Sequence, residues 1–99
     1  MFIALVDFQT RPEHLMQALA ALADEAKSVS AMPGCLVFQA LTDPHRPGTI
    51  CIRHEWDSPG DFAAYVASPS FARSGVALRP LMLGAPVSRR FQAKLLEAA

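Results

Sequence analysis

A chain of 99 residues has room for one folded domain and no second core. Its hydrophobic content of 52% is high for so small a domain. Folding at this size buries only roughly 60–70% of the unfolded surface, so composition already points to a partner subunit. Nine basic residues balance nine acidic ones, which argues against nucleic-acid binding, and no apolar run approaches a membrane span.

Residues 2–9 alternate as a strand. Phe2, Ala4, Val6 and Phe8 point one way, and Ile3, Leu5, Asp7 and Gln9 the other. Both sets are mainly apolar, which places the strand centrally in its sheet. Asp7 and the lack of a basic start argue against a signal peptide, and a cytoplasmic protein is the expectation. Thr10, Pro12 and Glu13 predict a capping box opening a helix to about Ser30. Its inner face would carry Leu15, Leu19, Leu22, Ala26 and Val29, and its polar side Gln17, Asp24, Glu25 and Lys27.

Pro33 and Gly34 end that helix. Residues 35–42 and 49–56 read as strands joined by a loop containing Pro44, Pro47 and Gly48. If Thr42 faces Thr49, then Val37 faces His54, Gln39 faces Ile52, Ala40 faces Cys51 and Cys35 faces Trp56. On that register Ile52, His54 and Trp56 share one face with Val37 and Gln39. Leu36, Phe38 and Ala40 share the other with Cys51, Arg53 and Glu55. Cys35 and Cys51 stay apart and read as buried reduced thiols, with no metal-ligand spacing.

Ser58, Pro59 and Asp61 mark a second helix start, with Phe62, Tyr65 and Val66 on its buried side. Ser68 and Pro69 break it and begin a further segment bearing Phe71, Val76, Leu78 and Leu81. Residues 87–96 read as the last strand, where Arg89 and Arg90 are solvated or interface residues. The order is β-α-β-β-α-β over residues 1–99: a ferredoxin-like α+β domain, a four-stranded antiparallel sheet with helices on one face. The other face, expected to bear Leu36, Phe38 and Ala40, would be covered by the same face of a second copy, giving a homodimer.

Several local marks join this order. Pro33, Gly34, Cys35 and Phe38 introduce the second strand; Glu55, Trp56, Asp57 and Ser58 close the third; Ala67, Ser68, Pro69, Ser70 and Phe71 form the helix break. Together they resemble the antibiotic biosynthesis monooxygenase family, over about residues 2–95. The resemblance implies a dimeric α+β barrel, with a pocket between sheet and helices in each subunit. It implies chemistry ranging from metal- and flavin-free oxidation of polycyclic phenols to haem degradation and isomerisation of small phosphorylated ketones. Trp56 matches a pocket tryptophan of the quinone-forming and haem-degrading branches. Ile52 stands where the quinone-forming branch has Asn, and Phe62 where it has Tyr. Asp7 stands where haem degraders have Asn. Arg73, Ser74 and Gly75 occupy the stretch that carries their histidine ligand. His54 and Tyr65 replace the Glu and His of a further branch.

From the residues themselves, His54 is the leading catalytic candidate: an imidazole on an apolar, helix-facing strand face can remove a phenolic or enolic proton. Tyr65 could donate to the developing oxyanion. Asp7, if it faced the pocket, would be a second acid or base; otherwise it pairs with an arginine. Trp56 would form pocket wall and stack on a planar substrate, with Ile52, Phe62 and Phe71 as further substrate contacts. The alternative for His54 is a core histidine bonded to Tyr65 or backbone. No phosphate loop, metal motif or nucleophile elbow is present, so no cofactor and no metal are expected. Three readings stay open: a cofactor-independent monooxygenase on a planar phenolic or enolic small molecule, an isomerase or proton-transfer enzyme on a small carbonyl compound, and a non-catalytic dimeric ligand-binding module.

Overall fold

The computed structural model describes residues Met1–Ala99. Strands β1 (Phe2–Gln9), β2 (Cys35–Thr42), β3 (Thr49–Trp56) and β4 (Val87–Gln92) form one antiparallel sheet in the order β2-β3-β1-β4. Helices α1 (Leu15–Val29), α2 (Pro59–Val66) and α3 (Pro69–Leu78) cover one face. This is the ferredoxin-like arrangement expected, with β1 in the sheet interior. The last strand is shorter than the sequence suggested, ending at Gln92.

The alternation in β1 and β3 decides which face is buried. Phe2, Ala4 and Phe8 lie inside with Ile50, Ile52, His54 and Trp56. From α1 they meet Ala18, Leu22 and Val29, and from α2 Phe62 and Tyr65. The inner stripe of α1 also includes Glu25, assigned to the polar side by sequence; it is 6% exposed. Ser70 of α3 donates a hydrogen bond to its carboxylate, which lets a charged side chain stay inside. Val66, expected on the buried side of α2 with Phe62 and Tyr65, is exposed.

The hairpin register differs from the sequence-based one. Phe38 pairs with His54, Ala40 with Ile52 and Leu41 with Cys51, while Cys35 still pairs with Trp56. A bulge between Cys35 and Val37 absorbs the extra residue and turns every following side chain of β2 to the opposite face. Phe38 and Ala40 therefore pack under the helices. The bare face carries Ile3 and Leu5 of β1, Val37 and Leu41 of β2, and Val87 and Phe91 of β4. Two ion pairs cross it, Arg53 with Glu55 and Arg89 with Asp7. Both cysteines are free.

Local chemistry fixes the joins. The expected capping box at Thr10 does not form: the Thr10 hydroxyl donates to the Arg11 carbonyl, and Glu13 pairs with Arg11. Pro12–His14 is instead a 3-10 turn leading into α1. Ser58 does cap α2, accepting from the Asp61 N–H at 3.2 Å. Gly34 has φ +79°, and a Cβ there would lie 2.1 Å from the Asp61 carboxylate, so only glycine lets the chain enter β2 at this point. No helix is long and apolar enough to cross a membrane.

Candidate functional site

A cavity of about 470 Å³ opens between the helix-covered sheet face, α2–α3 and the segment leading into β4. That volume is in the range of small-molecule sites. The sheet contributes Ile52 and His54, α2 contributes Phe62 and Tyr65, and α3 contributes Phe71. Five of the residues singled out from sequence thus share one cavity. Trp56 does not line it: the side chain is fully buried behind His54 and stacks on Tyr65, with centroids 5.4 Å apart. Asp7 does not reach it either. The odd-numbered positions of β1 face the bare side of the sheet, where the Asp7 carboxylate accepts from Arg89 at 3.1 Å.

Three neighbours set the geometry of His54. The Trp56 indole N–H donates to its Nδ1 at 3.0 Å. Phe38, directly opposite, and Tyr65 both lie edge-on to the imidazole, at 5.6 Å and 5.9 Å between centroids. The helix break positions Tyr65 and Phe71 together, because Ser68 donates to the Tyr65 carbonyl and accepts from the Phe71 N–H. The Tyr65 and Phe71 rings then meet edge to face at 5.3 Å.

Electrostatics follow from burial. His54 is 3% exposed and Tyr65 4%. Burial pushes the imidazole down to about 4, and the nearby Arg90 guanidinium acts in the same direction. Burial raises the Tyr65 phenol well above its ordinary range, with the Glu25 carboxylate and Cys35 adding to it. Both groups are neutral near pH 7. Neither the imidazole Nε2 nor the phenol oxygen has a protein hydrogen-bond partner, and neither is sealed from the cavity.

The structure adds residues that sequence reasoning left out. Arg79 and Arg90 stand in the cavity wall, and Arg90 lies 4.9 Å from the Phe62 ring centroid. Arg90 and His54 flank the same β1 residue, Ala4, from opposite sides. The period-2 pattern of residues 87–92 was the available signal: it puts Arg90 on the inner face and Arg89 on the outer one. No cluster of three or more His, Cys, Asp or Glu side chains stands ready for a metal.

A ferredoxin-like sheet holding a mainly apolar, ligand-sized cavity under a broken helix defines a class of small α+β pocket proteins. The model of the antibiotic biosynthesis monooxygenase family matches residues 1–74, and the chain belongs to that family. A candidate antibiotic biosynthesis monooxygenase from Deinococcus radiodurans superposes with a TM-score of 0.90 at 22% identity, over 100% of this chain and 98% of that one. One from Caulobacter crescentus gives 0.89 at 23%, over 95% and 90%. One from Chloroflexus aurantiacus gives 0.73 at 28%, over 96% and 97%. No curated protein matches the chain. The cavity residues from Gly75 to Arg90 lie beyond the stretch matched by the family model.

Proposed function

We propose that the chain is a cofactor-independent monooxygenase acting on a planar phenolic or enolic small molecule. The observation that supports this reading most is the pairing of His54 and Tyr65, whose Nε2 and phenol oxygen have no protein hydrogen-bond partner, in one mainly apolar cavity. Such a cavity excludes water from a reactive anion and holds it where oxygen can meet it. The substrate anion supplies the electrons: one oxygen atom enters the carbon skeleton, and the other leaves as water with the two hydrogens lost from the substrate. Family membership supports monooxygenase-type chemistry.

A second reading, proton transfer on a small carbonyl compound, draws support from Arg79 and Arg90 in the wall, which could hold a ligand anion. Turnover of a panel of phenols and ketones, with and without air, separates the two. Oxygen consumption matched to quinone formation, and lost in His54→Ala, is the expected result. Equal turnover without air would favour the isomerase.

The functional unit on this reading is a homodimer, formed through the bare sheet face. Leu41, Val87 and Phe91 are 41%, 58% and 44% exposed there. A second copy meeting them would bury an apolar patch that one subunit cannot cover.

A further inference from the structure

Nδ1 of His54 is within 3.0 Å of an indole N–H. Indole nitrogen donates and never accepts, so Nδ1 must be the unprotonated nitrogen of the ring. A neutral imidazole has one N–H, and here it is on Nε2, the nitrogen left to the cavity. The cavity therefore receives a donor from His54 and not the lone pair that a general base requires. Tyr65 adds a phenol O–H, likewise without a protein partner.

The charged groups in the wall are Arg79 and Arg90, and no carboxylate or thiol is among the lining residues. Two donors open to the cavity and without protein partners are matched by a ligand oxygen that accepts from both. An oxygen bearing negative charge accepts most strongly, all the more beside a guanidinium.

We propose that Trp56 is a positioning residue that holds His54 as a hydrogen-bond donor, so that His54 and Tyr65 together form an oxyanion site for the ligand. The inference rests on the reading of this cavity as a site for phenols or enols and specifies how it activates them. The ligand O–H bond breaks with its electron pair remaining on oxygen, and the proton leaves to solvent. His54 takes no proton. The site favours ionisation by binding the anion more tightly than the neutral molecule.

The test uses para-nitrophenol, whose anion is yellow and whose neutral form is not, in buffers below the dye's own pKa. The native protein is expected to bind it as the yellow anion, with on the order of tenfold or greater preference over the neutral form. Trp56→Phe frees Nδ1 to carry the proton and turns a lone pair toward the ligand, so that preference should fall about tenfold. His54→Gln, which can donate but cannot act as a base, should keep a preference that His54→Ala loses. Nitrogen-15 NMR of the unsubstituted protein reads the tautomer directly. A proton on Nδ1, or a dye bound neutral or not bound at all, overturns the inference. Absence of oxygen consumption together with anionic dye binding would instead count against the monooxygenase reading alone.

Discussion

Phe38 of β2 lies directly across the ladder from His54 of β3, and its ring stands edge-on to both the imidazole and the Tyr65 phenol. The contact exists only because the bulge after Cys35 turns Phe38 inward. Phe38→Ala should cost about 2–3 kcal/mol in urea unfolding, toward the low end for such a truncation because the ring is only partly buried. It should also weaken ligand binding, since His54 loses a neighbour that fixes its ring. An unchanged unfolding midpoint would show that the ring is not part of the core.

Acid should destabilise the protein through His54. The imidazole titrates at about 4 in the fold, against about 6.5 in the unfolded chain. The unfolded state therefore binds the extra proton first. Stability is full above pH ~6.5, falls as pH drops toward ~4, and levels off below, for a total of roughly 3 kcal/mol from this one group. The groups facing the ring are Trp56 of β3, Phe38 of β2, Phe62 and Tyr65 of α2, and the Arg90 cation of β4, and none is an anion that would oppose the shift. Urea midpoints measured across that range should show a shallower acid slope in His54→Gln.

Gly34→Ala tests the chain path into β2. The residue has φ +79°, and its Cβ would overlap the Asp61 side chain, which also accepts from the Ser58 hydroxyl at the start of α2. A loss of about 1–3 kcal/mol in thermal or urea unfolding is expected. Asp61→Ala in the same background should recover only the part due to overlap, leaving the backbone strain.

Placing a charge on the bare sheet face should separate the subunits. Phe91→Glu buries an unpaired carboxylate in the proposed interface and should weaken association on the order of a hundredfold. Light scattering of the native chain should give twice the chain mass at micromolar concentration, and the variant a single chain mass. A native protein that scatters as one chain removes the dimer.

Much of the fold was readable because β3 alternates cleanly, with Ile50, Ile52, His54 and Trp56 on one face and Arg53 and Glu55 on the other, whereas both sets of β1 are mainly apolar and mark only a central strand. The second strand resisted. Leu36, Val37 and Phe38 are all apolar, so periodicity alone could not reveal a one-residue bulge, and the face of Phe38 and Ala40 came out reversed. Glu25 looked like a solvent residue because its partner Ser70 is distant in sequence. His54, Tyr65, Ile52, Phe62 and Phe71 were found together because strand alternation and two Ser-Pro caps placed them. Arg90 was not, since an adjacent Arg89 masked its inward position, and Asp7 was considered for the cavity although its strand parity sends it to the other face.

Trp56 is the only tryptophan in the chain. It is enclosed, stacked on Tyr65 and hydrogen-bonded to His54. Its emission should therefore be blue-shifted and free of background from any other indole. Protonation of the adjoining imidazole, or arrival of a light-absorbing ligand in the cavity beyond it, should quench that emission. The same ring that orients the histidine can thus serve as a label-free optical probe of occupancy, usable in stopped flow before any substrate has been identified.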